Sequence, residues 1–338
     1  LAEEEDSGNT RVYRGGWGML SDKFFFPIAG FLKARRLLRE YDYEIIHAYQ
    51  ASYGAGAAWL LKLFNPRLKF VLTLQEGKNL SRQGFTVNFL RKIIIQKADL
   101  VTAISNYLRD YARMLNRKAR IFLIPNGVDI TNFSKEYSYG ELSVLADRLG
   151  IKPGEKVIVS TSRLVAKNGI DDLIFAAALL GARAEAPKLK LLLIGEGKLK
   201  SELAELAASL GIRSKIIFAG SVSHAELPKY LQIADIFVRP SKSEGLGSAF
   251  LEAMAAGLPV IGTRVGGIPD FLKNKETGLF AEVGNPQDLA EKVALILSKK
   301  DLADKLINNA KALVSEKYNW NTVAGQFAEI YYGQNQFD

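Results

Sequence analysis

From residue 155 onward, short runs of apolar and β-branched residues alternate with longer amphipathic segments. The runs predict buried strands, and the segments between them have the spacing of helices. Such alternation is typical of a parallel, doubly wound α/β sheet. The predicted strands are Lys156–Thr161, Lys190–Ile194, Lys215–Ala219, Ile236–Arg239 and Pro259–Gly262, and the predicted helices are Asp171–Ala182, Leu199–Leu210, Ala225–Gln232 and Ala249–Ala256.

The first part of the chain repeats this pattern with shorter segments, which predicts a second α/β unit. The two units meet in a polar stretch, Val128–Gly154, which we expect to be a connector, and a last helix is predicted over Asn321–Tyr332. The strands predicted in the first unit are Arg11–Tyr13, Glu44–Ala48, Lys69–Leu74, Leu100–Ile104 and Arg120–Ile124, and its helices are Pro27–Arg39, Gly54–Phe64, Asn88–Gln96 and Asn106–Leu115.

Composition narrows the class of protein. A chain of 338 residues is long enough for two domains. It has no cysteine, which excludes a disulfide framework, a thiolate metal site and a cysteine nucleophile. The two histidines, His47 and His224, leave little material for a histidine metal cluster. Neither a membrane-spanning apolar run nor a signal-peptide pattern is present, so we expect a cytoplasmic protein.

Positive charge is concentrated at one end of the chain. Residues 1–133 contain 20 Lys and Arg against 12 Asp and Glu, whereas residues 134–338 contain 25 against 24. An excess of this kind indicates an anionic partner or a generic solubilising surface. A nucleic-acid partner is not expected, because no zinc-finger or RRM motif accompanies the charge. Within Phe24–Glu40 an aromatic run precedes a basic one, which predicts either a helix on an acidic membrane or a packed helix with a basic outer face.

Charged residues come after two of the predicted strands. Open parallel sheets bind their ligands at this carboxyl end of the strands. Arg163 and Lys167 come after one strand and just before a helix, which suits a diphosphate, although two surface cations in a loop remain an alternative. Glu244 and Glu252 come after another strand and could each accept hydrogen bonds from a diol. Two solvated glutamates are the alternative for that pair.

Four segments in order carry a family resemblance: IPNGVDITNF at 124–133, SRLVAKNG at 162–169, SEGLGSAFLEAMAAGLPVIGT at 243–263 and VGGIPD at 265–270. Together they resemble the family-four glycosyltransferases of the GT-B fold, which are retaining enzymes that use nucleotide sugars. The resemblance runs from about residue 41 to the end and is most specific over 155–285. It implies two Rossmann-like domains facing a cleft, at 1–129 and 130–318, with a terminal helix at 319–338 that crosses back to the first domain.

The resemblance also implies roles for individual residues in binding a nucleoside-diphosphate sugar. Arg163 and Lys167 match the pair that holds the diphosphate, Glu244 the carboxylate on the transferred sugar and Glu252 the one on the ribose; Arg163, Lys167 and Glu244 are the expected catalytic residues. Further donor contacts are expected from a glycine loop and from a backbone position near the base: Gly245, Leu246, Gly247 and Val222. The residues expected to line the cleft are His47, Gln75, Asn126 and Gly127.

Two departures from the family pattern accompany the resemblance. The chain opens at what corresponds to the third strand, so the first domain is expected to lack about two strands and a helix. Gln75 stands where many members carry a histidine near the reacting sugar, and His47 matches another common family histidine or is a structural one. We expect no metal or cofactor, and a sugar acceptor that is a hydroxyl of a glycan, a lipid or a small molecule. The basic first domain suggests a lipid-linked or anionic acceptor and peripheral contact with the inner face of a membrane. The alternatives are a sugar-nucleotide epimerase and an inactive fragment.

Overall fold

The chain folds into two compact α/β units, Leu1–Ile124 and Pro125–Asp338, each built on a parallel sheet. The computed structural model describes residues 4–8, 10–14, 22–77, 80, 83–182 and 188–333. This architecture confirms the α/β class expected from the alternating pattern. Each sheet is covered by helices, because strands that are buried on both faces need apolar partners on both sides.

In the first unit the sheet has four parallel strands in the order β3-β4-β5-β6, beside an antiparallel hairpin, β1-β2. Phe70, Leu72 and Leu74 of β4 are fully buried, which explains why this strand is a near-continuous apolar run. The strands are β1 (Glu4–Ser7), β2 (Thr10–Tyr13), β3 (Ile45–Tyr49), β4 (Lys69–Leu74), β5 (Leu100–Ala103) and β6 (Ile121–Leu123), and the helices are α1 (Asp22–Glu40), α2 (Tyr53–Phe64), α3 (Phe85–Lys97) and α4 (Asn106–Leu115).

Two short helices fill the stretch predicted to be a polar connector: α5 (Ile130–Phe133) and α6 (Tyr139–Arg148). The helix α6 begins with a capping box, in which the Glu141 N–H donates to Ser138 Oγ at 3.3 Å and the Ser138 N–H donates to the Glu141 carboxylate at 3.1 Å. The polar composition that suggested a connector is therefore partly the polar start of a helix.

In the second unit the sheet has six parallel strands in the order β12-β11-β10-β7-β8-β9. The chain order reverses between β7 and β10, and ligands of doubly wound sheets bind beside such a reversal. The strands are β7 (Lys156–Thr161), β8 (Leu189–Ile194), β9 (Ile216–Gly220), β10 (Ile236–Val238), β11 (Val260–Thr263) and β12 (Leu279–Ala281); the helices are α7 (Ile170–Gly181), α8 (Lys200–Ser209), α9 (Leu227–Gln232), α10 (Ser248–Ala255), α11 (Ile268–Phe271), α12 (Pro286–Ser298), α13 (Lys300–Lys317) and α14 (Trp320–Tyr332).

The longest helix of the first unit, α1, packs on α2 through Phe31, Ala57 and Leu61. Its first half also carries large exposed apolar side chains, including Phe24 and Ile28, which are 63% and 58% exposed, although the Phe24 ring touches Tyr53 of α2 edge-on. No helix in the ranges described is both long and apolar enough to cross a membrane.

Candidate functional site

The predicted diphosphate residues lie where the second sheet reverses its order. Arg163 follows β7 by two residues, and Lys167 lies in a 3-10 turn, Ala166–Asn168, just before α7. Glu244 lies in the loop between β10 and α10. Because β7 and β10 are adjacent, these loops meet, and Lys167 Nζ lies 3.9 Å from Glu244 Oε1. The structure thus brings Lys167 and Glu244 together in one polar corner.

Arg239, which follows β10 directly, holds Glu244 in place. Its guanidinium donates to Glu244 Oε2 and, at 3.3 Å, to Asn168 Oδ1. The Asn168 amide in turn donates to the Arg163 carbonyl oxygen at 2.6 Å. Arg239 is 8% exposed and Asn168 1% exposed, so this network is internal. The sequence prediction missed both residues; the signal for Arg239 was a charge at the end of an otherwise apolar strand.

The electrostatics of this corner favour an anion. The pKa of Lys167 is lowered, chiefly because the ammonium is partly buried and further because Arg239 and Arg163 lie nearby, while Glu244 raises it. Among these four groups, three are cations and only Glu244 is a carboxylate. The first turn of α7, a 12-residue helix, starts there and adds partial positive charge from its N–H groups, while its two carboxylates, Asp171 and Asp172, pair with Lys242. This arrangement can bind the phosphates of a ligand.

The second predicted carboxylate, Glu252, lies one turn inside α10 and its side chain is 18% exposed. Burial raises the pKa of Glu252, and the nearby His224 opposes that rise. His224 Nε2 lies 3.4 Å from Glu252 Oε1, and its ring packs edge-on against Phe133. The sequence analysis gave His224 no role at this site. Val222, predicted to be near the base, is half-buried in the loop that follows β9 and that also contains His224.

The predicted glycine loop is buried and closely packed. Leu246 is 2% exposed, so its side chain packs in the interior. Gly247 has φ +103° and precedes α10, and the Gly245 N–H donates to Glu244 Oε1 at 3.4 Å. A Cβ added to Gly266, which has φ +53°, would lie 1.7 Å from the Glu244 carbonyl oxygen. The loop around Gly266 therefore fixes the backbone that carries Glu244.

Asn126 and Gly127 lie at the start of the second unit, where Asn126 is half-buried and Gly127 buried. A Cβ added to Gly127 would fall 2.6 Å from the Trp320 indole, so the aromatic ring rests on this glycine. The neighbouring Val128 N–H donates to the Tyr318 carbonyl oxygen at 2.6 Å. The segment that leads into α14 thus holds the loop.

Two of the predicted cleft residues lie in the first unit: His47 belongs to β3, and Gln75 follows β4. His47 Nε2 lies 2.6 Å from Thr73 Oγ1, which lies 2.6 Å from Thr102 Oγ1, and both threonines are fully buried. Burial lowers the pKa of His47 to about 4, so the imidazole is neutral at pH 7. Gln75 is half-buried just beyond the end of β4.

Comparison with known proteins agrees with this architecture. Residues 144–313 match the family "Glycosyl transferases group 1", and residues 2–132 match "Glycosyltransferase Family 4". The chain belongs to the group 1 glycosyltransferases, which confirms the family resemblance and the expectation of a transferase enzyme. Among solved structures, sucrose-phosphate synthase from Thermosynechococcus elongatus matches with a TM-score of 0.86 and 23% identity over 100% of this chain and 87% of the other. That likeness confirms the GT-B type of fold.

The names of individual relatives mention different sugars and nucleotides, or none. An uncharacterized glycosyltransferase from Methanocaldococcus jannaschii is 34% identical over 63% of this chain, and the match spans 54% of that relative's length. A GDP-mannose-dependent alpha-(1-6)-phosphatidylinositol monomannoside mannosyltransferase from Mycobacterium tuberculosis is 29% identical over 90% of this chain and 80% of its own length. The Anabaena protein Alr3699/HepE, solved with UDP and glucose, has a TM-score of 0.80 and 22% identity over 91% of this chain and 83% of that chain.

Proposed function

We propose that the chain transfers a sugar from a nucleoside-diphosphate sugar to an acceptor hydroxyl, with retention of the anomeric configuration. The observation that carries this proposal is the meeting of Lys167 and Glu244 at the reversal point of the second sheet, with Arg239 and Arg163 near enough to lower the pKa of Lys167. The corner combines an excess of positive charge for a diphosphate with a carboxylate, held by Arg239, that can accept hydrogen bonds from sugar hydroxyls.

In the proposed reaction the bond between the anomeric carbon and the diphosphate oxygen breaks, and a bond to the acceptor oxygen forms. The acceptor proton passes to the leaving diphosphate. Arg163 and Lys167 stabilise the negative charge that grows on the diphosphate, and preorganised charges of this kind are effective in a partly buried site. Glu252 would bind the ribose hydroxyls. We propose that the two cations serve without a metal ion, so EDTA should leave turnover unchanged.

A thermal-shift screen against UDP-, GDP- and ADP-sugars tests the donor. The relatives' names mention GDP-mannose and UDP with glucose, so both nucleotides belong in the screen. A ligand at 100 times its Kd should stabilise the protein by about 2.7 kcal/mol. Arg163→Ala should weaken the shift, whereas Lys152→Ala, which removes an exposed cation before β7, should not. A wild-type protein that responds to none of the nucleotide sugars would overturn the proposal.

Retention and transfer are tested on the product. Proton NMR of the first-formed glycoside should show the same anomeric configuration as the donor, and an inverted product would contradict retention. A sugar-nucleotide epimerase, the alternative reaction, would change the donor in the absence of any acceptor. Donor consumption that requires no acceptor hydroxyl would therefore favour the epimerase.

We also propose that α1 brings the enzyme to an anionic membrane surface, such as the inner face of a membrane. Phe24, Phe25 and Ile28 are each more than half exposed, and basic residues of the same helix, Arg35 and Arg39, are exposed too. Exposed aromatic and basic side chains on one helix are the combination that binds acidic lipid surfaces.

Flotation with vesicles tests this contact. The protein should float with vesicles that contain acidic lipid and float less with neutral ones, and the double variant Phe24→Ser, Phe25→Ser should lose the difference. Tyr139→Ser, which removes an 86% exposed aromatic residue from the second unit, is the matched control. Equal flotation with both kinds of vesicle would contradict the electrostatic part of the proposal.

A further inference from the structure

The first unit contains a cavity of about 620 Å³ between the first halves of α2 and α3, closed on one side by Pro27 of α1. This size lies within the range of small-molecule sites, roughly 300–1,000 Å³. The walls are mainly apolar, with contributions from Pro27, Trp59, Leu60, Val87, Leu90 and Ile94. Roughly twenty waters of liquid volume would fit, yet apolar walls offer them few hydrogen bonds. The cavity therefore suits an apolar ligand better than water.

Polar groups close the end of the cavity where β3 and β4 finish. The Ala51 N–H donates to Glu76 Oε1 at 2.8 Å, and Arg91 donates to the Ala51 carbonyl at 3.4 Å and to Gln83 Oε1 at 2.6 Å. Glu76 and Arg91 are 7% and 8% exposed. These groups form a polar end wall, in which the buried Glu76 Oε2 and Gln83 Nε2 have no hydrogen-bond partner within the described part of the chain, and the side walls offer an apolar recognition surface.

The cavity is continuous with the apolar surface of the first unit. Val87 and Leu90 line the cavity and are also 43% and 54% exposed on α3, and the next residues around them on that helix include Phe85 and Phe89, which are 85% and 52% exposed. Pro27 lies on α1 between Phe24 and Ile28, both exposed. An apolar chain can thus follow exposed apolar side chains of α3 into the cavity, where Val87 and Leu90 belong to both surfaces.

We infer that this cavity binds an acyl chain of a membrane lipid, and that the acceptor of the enzyme is an acylated molecule. The second clause rests on the proposed function, since it assigns the chain to the sugar acceptor. The inference follows from the cavity's size, its apolar side walls and its continuity with an exposed aromatic surface that carries basic residues. Each further methylene that enters the cavity should tighten binding about fourfold until the cavity is full.

Titration of fluorescent lysophospholipids tests the inference. The probes carry a nitrobenzoxadiazole label and acyl chains of increasing length, and they are used below their critical micelle concentrations. Leu90→Trp fills the mouth of the cavity and should weaken binding about fifteenfold, the equivalent of two lost methylenes. Phe89→Trp places the same side chain at the neighbouring position, with similar exposure and no contact with the cavity, and should bind like wild type.

Equal weakening in both variants, or wild-type protein that binds no probe, would overturn the inference. If Leu90→Trp does not fold, as judged by circular dichroism, Val87→Phe takes its place. The nucleotide-sugar thermal shift is recorded on the same variants and should be unchanged. Wild-type protein that binds no lipid probe but shows a normal donor shift contradicts the acyl site alone, whereas absence of the donor shift in wild type contradicts the proposed function itself.

Discussion

The two units of this glycosyltransferase differ in how their candidate sites are built. In the second unit, charges from neighbouring loops meet at the sheet reversal, and Arg163, Asn168, Arg239, Glu244 and Lys167 form one connected polar network. In the first unit the main feature is an apolar cavity with a polar end wall. The difference is the one expected if the second unit binds the charged donor and the first unit the apolar acceptor proposed above.

Removing Arg239 should have the largest effect on stability. Arg239 and the Glu244 side chain are about 8% and 11% exposed, so Arg239→Met leaves a buried carboxylate with Lys167 as its remaining cation at 3.9 Å. Loss of one partner of a buried ion pair costs about 3–5 kcal/mol. Urea unfolding should show a lower midpoint for this variant.

A second substitution separates the charge effect from simple loss of packing. Arg239→Met combined with Glu244→Gln removes the buried carboxylate that would otherwise lose its partner, so the double variant should recover part of the lost stability. Additive losses in the double variant would show that the two side chains do not act as a pair, and the polar network of the second unit would lose its central link.

Arg163 should matter for activity more than for stability, because its side chain is exposed. Loss of a charge-assisted contact to the leaving diphosphate corresponds to about 2–4 kcal/mol of transition-state stabilisation. Arg163→Ala should lower kcat/KM accordingly, with an unfolding midpoint close to wild type. Lys152→Ala serves as the control for charge, and unchanged turnover of Arg163→Ala would remove that residue from the site.

The contact between Gly266 and Glu244 can be tested against a matched glycine. Gly266 and Gly284 both have positive φ, +53° and +73°, but an added Cβ meets the Glu244 carbonyl only at Gly266 and nothing within 4 Å at Gly284. Gly284→Ala should lose about 1 kcal/mol from backbone strain alone. Gly266→Ala should lose more and should also lower turnover, and equal losses in the two variants would show that the contact is unimportant.

Sequence patterns predicted the charged residues of the candidate donor site because these residues lie just beyond apolar strands, as with Arg163, Lys167 and Glu244. The roles of Arg239 and Asn168 were not predicted, because they depend on which loops are in contact. The order of strands across a sheet, which decides that contact, cannot be derived from local sequence spacing. The helix α6 was not predicted because the polar residues that cap it are also the residues typical of a connector. The cavity had no sequence signal, since Trp59 and Leu90 look the same in a packed core as around a void.

The burial of the His47 ring, beside the hydroxyls of Thr73 and Thr102, gives the stability of the first unit a pH dependence of its own. Burial lowers the pKa of His47 from 6.5 to about 4, so the folded state favours the neutral ring. Between these values the unfolded chain binds more protons than the folded one, and stability is therefore full above about pH 6.5 and falls as the pH approaches 4. With partial solvent screening, the loss should be about 1–3 kcal/mol.

The measurement is urea unfolding at pH 7.0, 5.5 and 4.5, followed by a probe in the first unit. His47→Gln keeps a group that can bind Thr73 but cannot titrate, so its stability should change less over this range than that of wild type. His224→Gln removes the other histidine, in the second unit, and should keep the full loss. If wild type and His47→Gln lose stability in parallel, the acid sensitivity belongs to carboxylates, and the two units do not differ in this respect.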